Sequence, residues 1–167
     1  VKPKKVKLFT GPPTHKEDDA KVVHELMNNA DIRIVSGGTT SQIVARELGV
    51  EVKSSTEIYD KEVPPIAYIQ GVDLVTEGVL TLSKTIDRLK SLSKSLDSDI
   101  FKAKDGASQM AKLLYSASHI KLLVGRSLNI ANAESSFQRD LELRLHVVGE
   151  LEKILVKLGK IVTVEYY

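Results

Sequence analysis

The sequence predicts an α/β fold: a three-layer sandwich around a mostly parallel, Rossmann-like sheet of about five to six strands. Two observations point there. Short apolar or alternating runs recur at residues 5–9, 32–36, 66–70, 73–76, 119–124 and 161–167, and segments of helical period separate most of them. Glycine or proline closes nearly every run, as expected where strands turn into crossover helices. Helices of roughly 10 to 20 residues between strands are the connections that a parallel sheet needs.

Taken in order, residues 5–9 alternate and form a first strand that Gly11-Pro12-Pro13 stops. Thr14 and Glu17 have capping-box spacing, and Val22, Val23, Leu26 and Met27 share one face of a helix over residues 16–29. A strand at 32–36 runs into Gly37-Gly38, after which Ile43, Val44 and Leu48 define a second helix closed by Gly49. Residues 50–65, with Pro64-Pro65, read as a loop holding at most one short edge strand. Strands at 66–70 and 73–76 lead past Glu77-Gly78 into a helix marked by Val79, Leu82, Ile86 and Leu89. From Lys90 the composition drifts into Ser-Lys-Leu repeats, where that helix is expected to fray into a mobile surface element through Asp99. Asp105 is placed to cap a helix whose inner face is Met110, Leu113, Leu114 and Ala117. A strand at 119–124, a polar loop to Ser136, a long helix with the stripe Leu141, Leu145, Val148, Leu151, Leu155 and Leu158, and a strand at 161–167 complete the chain.

Composition narrows the function. A chain of 167 residues is read as one α/β domain, residues 1–167, and its opening on Val1 rather than Met is what a fragment of a longer chain would show. Lys and Arg total 24 against 22 Asp and Glu, so the net charge of +2 argues for neither nucleic acid nor an anionic membrane as partner. Lys2, Lys4, Lys5 and Lys7 read as the solvated start of an edge strand. The absence of cysteine removes disulfides, thiolate catalysis and cysteine-bound zinc, and suits a cytoplasmic location. No apolar run approaches a membrane span of about 20 residues.

In open α/β sheets ligands bind beyond the carboxyl ends of the strands. Four loops there are polar or glycine-bearing: Thr10-Gly11-Pro12, Ser36-Gly37-Gly38-Thr39-Thr40, Thr76-Glu77-Gly78 and Gly125-Arg126-Ser127-Leu128-Asn129. The candidate ligand-binding residues are therefore Gly11, Ser36, Gly37, Gly38, Thr39, Thr40, Thr76, Glu77, Gly78, Arg126 and Asn129. Adjacent glycines allow close backbone approach, a helix start supplies unpaired N–H groups, and a guanidinium grips two oxygens of phosphate or carboxylate. Each also has a structural reading: Gly37-Gly38 as a tight turn, Thr39 or Thr40 as an N-cap, Glu77 as a first-turn acid, Arg126 as a surface ion pair.

Named catalytic signatures are missing. No lysine follows the glycines as in a phosphate loop, no GxGxxG occurs, and Asn129 stands where a nucleophile elbow has its second glycine. His15, His24, His119 and His146 are scattered without ligand spacing, so neither a metal nor a cofactor is expected. Glu142, Arg144, Glu152, Lys153 and Lys157 read as the solvated outer face of the last helix.

Several of these stretches together resemble a known family: Leu8-Phe9-Thr10-Gly11-Pro12-Pro13, the Ser36-to-Thr40 turn with Ile43-Val44-Ala45-Arg46-Glu47-Leu48-Gly49, Gly71-Val72-Asp73-Leu74-Val75-Thr76-Glu77-Gly78-Val79-Leu80-Thr81-Leu82, and Val162-Thr163-Val164-Glu165-Tyr166-Tyr167. The combination is similar to the carboxy-terminal region of the stage II sporulation protein E family of bacterial serine/threonine phosphatases. That family's phosphatase domain binds manganese or magnesium through paired acidic motifs. Asp105-Gly106, Asp73 and Glu77 do not constitute them, so no phosphatase residue carries over. The resemblance implies an accessory, regulatory domain attached to a phosphatase. Three readings stay open: a sensor of a small anionic ligand, an enzyme acting on a phosphorylated metabolite with Glu77 as general base, and a scaffold that forms a homo-oligomer through residues 90–99 or the last helix.

Overall fold

The computed structural model describes residues 4–95, 98–128 and 134–167. Its central strand, β1 (Lys5–Thr10), has parallel partners on both sides, β2 (Ile32–Ser36) and β6 (His119–Val124). Outward from β2 come β5 (Leu74–Thr76), also parallel, and then β4 (Ala67–Tyr68) and β3 (Lys53–Ser54), each antiparallel to its neighbour. Outward from β6 comes the parallel β7 (Ile161–Tyr166). The sheet order is β3-β4-β5-β2-β1-β6-β7. The structure is thus the expected α/β sandwich with a mostly parallel sheet, but with seven strands instead of five or six. The difference lies in residues 50–70, where two-residue strands turn that edge antiparallel and are too short for a periodic pattern to register.

Side-chain alternation divides the core into two layers. Val6, Leu8, Ile34, Ile120 and Leu122 face α3 (Val79–Lys94), α5 (Gly106–Tyr115) and α6 (Glu134–Lys157). Phe9, Val35, Val75 and Leu123 face α1 (Asp19–Met27) and α2 (Gly38–Leu48). A short helix, α4 (Ser98–Lys102), packs beside α5. Helix ends follow local chemistry. Asp105 caps α5 by accepting a 2.9 Å hydrogen bond from the Ser108 N–H, and Gly49 ends α2 in the left-handed conformation.

Three expectations are corrected. The lysine-rich start does not lead into a solvated edge strand, because β1 has partners on both sides and Lys7 is buried. Thr14 makes no capping box: its N–H and hydroxyl both donate to the Tyr167 carbonyl at 3.2 Å, and the first helix opens instead as a 3-10 turn at Lys16–Asp18. The helix beginning at Val79 does not fray at Lys90 but continues to Lys94, because Leu89 and Leu92 are buried against the core.

The α1 face carries a polar network where β6 and β7 lie beyond the two helices. Lys7, 8% exposed, donates to the carbonyl and carboxylate of Glu25 and to the Asn28 carbonyl, placing a cation at the C-terminus of α1. Lys121 bridges Glu25 at 2.6 Å to Glu165 at 2.7 Å, and the Tyr167 hydroxyl donates to Glu165 at 2.8 Å. The hydrogen bond from Lys121 is the largest influence holding both the Glu25 and Glu165 carboxyls below their ordinary range, against the opposing effect of burial. The hydrogen bonds that Lys121 donates to Glu165 and then to Glu25 raise its ammonium above the ordinary lysine value.

The sign of the pH dependence follows. Depressed carboxylates contribute stability above their unfolded range and lose it as pH falls through the folded values, whereas the raised lysine loses its contribution only on the alkaline side. Urea unfolding is expected to show a midpoint that falls between about pH 6 and pH 3, with a shallower fall in Lys121→Met.

Candidate functional site

The parallel strands β1, β2, β5 and β6 place their following loops on one edge of the sheet. β2 passes into α2 almost without a loop: Gly37, at φ 120°, makes the turn, and its N–H donates to the Thr76 carbonyl at 2.9 Å. Ser36 donates its hydroxyl to the Glu77 carbonyl at 3.0 Å and accepts from the Thr76 hydroxyl at 3.3 Å, tying the β2 loop to the β5 loop. Thr40 accepts from the Gly11 N–H at 2.9 Å, tying it to the β1 loop.

On the other side, Gly125 donates to the Thr10 carbonyl and Ser127 to the Pro12 carbonyl, each at 3.0 Å. The approach is so close that a Cβ on Gly125 would lie 2.1 Å from the carbonyl oxygens of Gly11 and Pro12. Gly11, at φ 85°, is equally constrained, because a Cβ there would come within 2.8 Å of the Arg144 side chain and of the Gly125 carbonyl.

Between these loops lies a cleft of about 450 Å³. Of the residues singled out from sequence, Gly11, Ser36, Gly37, Gly38, Thr39, Thr40 and Gly78 line it. Thr76 is buried behind Ser36. Glu77 is exposed and engages the site only through its carbonyl, and Arg126 is exposed with its guanidinium over the Tyr166 ring at 5.5 Å; neither side chain lines the cleft. Asn129 lies outside the described residues.

The cation at the cleft is Arg144, which corrects its assignment to an outward, solvated face. Its Nη1 donates to the Gly125 carbonyl at 3.0 Å, with the Ser127 carbonyl at 3.5 Å, and burial pushes its proton affinity below the usual arginine value. The signal was present: Arg144 precedes the buried Val148, Leu151 and Leu155 by four, seven and eleven residues, which is the inward stripe of α6. Thr10, Pro12, Val79, Ser127 and Leu128, outside the candidate set, also line the cleft.

Electrostatically the cleft is one-sided. α2 and α3 both begin on it, with Gly37 and Gly78 as N-caps, no side-chain cap and no acid in either first turn. α5, capped by Asp105, shows how the same chain satisfies a helix start that is not at the cleft. Among the described residues no carboxylate lines the cleft, and Asp140 acts on Arg144 from one turn earlier in α6. Two uncompensated dipole ends and a guanidinium therefore favour an anion between them. Among the described residues, no group of three or more His, Asp or Glu is placed to hold a metal ion, and no helix is long and apolar enough to cross a membrane.

Comparison of the chain with models of known families, with curated proteins and with solved structures found no match.

The Gly11–Gly125 approach makes one substitution severe. Gly125→Ala is expected to cost about 3 kcal/mol or more in urea unfolding, because its Cβ meets rigid backbone rather than a side chain that can turn aside.

Proposed function

We propose that this chain is a sensing module that binds a small phosphate- or carboxylate-bearing ligand in the cleft at the carboxyl edge of the sheet. The observation that carries the reading is the meeting of two uncapped helix N-termini with Arg144 in a cleft that no carboxylate lines among the described residues. Gly38 brings a backbone N–H to the anion, Thr39 offers a hydroxyl, and Arg144 approaches from the opposite wall. The volume suits a ligand of nucleotide or sugar-phosphate size. Following the resemblance to the stage II sporulation protein E family, occupancy of the cleft is read as regulating an attached serine/threonine phosphatase.

Gly38 separates binding from folding. It sits in the first turn of α2, and a Cβ there would meet nothing within 4 Å, so the fold does not require glycine. Glycine in a helix costs roughly 0.5–1 kcal/mol relative to alanine, and its retention here keeps the floor of the cleft open to a ligand. Thermal denaturation is the test, with inorganic phosphate as first probe, followed by nucleotides, sugar phosphates and carboxylates. The melting temperature should rise with ligand excess. Gly38→Ala should melt at or above the parent yet respond at least about tenfold more weakly to phosphate, and Arg144→Met should lose the response. A flat response of the parent chain to every probe would overturn the proposal.

A further inference from the structure

Three hydroxyls stand side by side where the central strands end. The register pairs Thr10 of β1 with Ser36 of β2, and Ser36 with Thr76 of β5. By strand alternation each shares the face of the apolar residue two positions earlier, Leu8, Ile34 or Leu74, which is the face toward α3 and α6. Two of the three are satisfied within the protein, since Ser36 donates to the Glu77 carbonyl and Thr76 donates to Ser36. Thr10 differs. It is 3% exposed and lines the cleft, yet its hydroxyl bonds to none of the described residues. Among the described residues Thr81 has the only fully enclosed side-chain oxygen without a partner, so the Thr10 oxygen keeps its open surface on the cleft.

Thr10 lies between the groups already assigned to the anion. The N–H of the next residue, Gly11, donates to Thr40 in the first turn of α2, and the Thr10 carbonyl accepts from Gly125, whose own carbonyl holds Arg144. Donors thus reach the cleft from all three layers of the sandwich. The start of α2 comes from one face, the start of α3 and the Arg144 guanidinium from the other, and the Thr10 hydroxyl from the sheet between them. Along the sheet they are spread as well, because α3 follows β5, whereas Arg144 is anchored to the loop after β6, on the far side of β1. Donors so placed surround a point; they do not share a plane. A carboxylate accepts close to one plane through two oxygens, while the terminal group of a phosphomonoester turns three oxygens outward. A nearly buried hydroxyl that the ligand leaves unpaired is unfavourable, so it discriminates against the ligand that fails to reach it.

We infer that the cleft takes a terminal phosphate in preference to a carboxylate, and that Thr10 makes the distinction by donating its hydroxyl to one phosphate oxygen. This rests on the proposed anion site and narrows its ligand to one chemical class, free phosphate or a phosphomonoester. Thr10 is then a specificity residue: the helix starts and Arg144 attract any anion, and the hydroxyl between them selects the tetrahedral one.

Titration calorimetry of the full chain with inorganic phosphate, phenyl phosphate and benzoate is the test. Phenyl phosphate should bind at least about tenfold more tightly than benzoate. Inorganic phosphate binding as tightly as phenyl phosphate would support the free anion as the natural source, and tighter binding of phenyl phosphate would support a monoester. Thr10→Val, which puts a methyl group in place of the hydroxyl on a strand, should unfold at no lower urea concentration than the parent and should weaken phenyl phosphate about tenfold without weakening benzoate. Thr10→Ser keeps the hydroxyl and should retain most of the preference, which decides the matter should valine disturb the strand. Equal affinity of the parent for phenyl phosphate and benzoate, or an undiminished preference in Thr10→Val, would overturn the inference and leave the anion site standing. A parent chain that binds none of the three would overturn both.

Discussion

Parallel pairing of β1 with neighbours on both sides is the constraint from which the rest of the architecture follows. Parallel neighbours cannot be joined by a tight turn, so every connection must recross the sheet, and the helices are those crossings. Crossings of fixed hand put α1 and α2 on one face and α3, α5 and α6 on the other. The same constraint delivers the loops after β1, β2, β5 and β6 to a single edge. The site is thus a topological consequence before it is a chemical one, and the sequence along those loops decides only what the edge can hold.

Two kinds of glycine meet there, and they answer to different demands. Gly11, Gly37 and Gly125 are dictated by the backbone: two lie at positive φ, and at the third a side chain would occupy the space of two carbonyl oxygens. Gly38 has neither constraint. A helix start that is unfilled and uncapped, beside a partly buried guanidinium, departs from what local stability alone would select. Arg144 itself is held by backbone carbonyls of the β6 loop, so the wall that carries charge is also the clasp that orders Gly125 and Ser127.

Much of this was legible in the residues, and the exceptions have physical causes. The strands at Ile32–Ser36 and His119–Val124 match their expected bounds because each is an apolar run closed by a glycine or by a change of period. Asp105 and Gly49 announced their caps because capping depends on a few adjacent atoms. Long-range partners were not legible in the same way. Thr14 has the spacing of a local cap, yet its hydroxyl is taken by a carbonyl 153 positions away. Glu77 and Arg126 lie in the right loops, but loop membership does not fix side-chain direction. Arg144 was hidden by its charge, which suggested solvent although its helical phase pointed inward.

That distant carbonyl has a kinetic meaning. Tyr167 accepts hydrogen bonds from the amides of Thr14 and Arg126, and its hydroxyl reaches Glu165, which Lys121 links to Glu25 on the first long helix. The opening turn and the first helix are therefore completed by β7, far along the chain from both. Loop-closure entropy must be overcome across almost the whole chain before those contacts reward it, so the fold closes late and as a unit. On a ribosome, the opening turn at Thr14 would wait for its partner until β7 emerged.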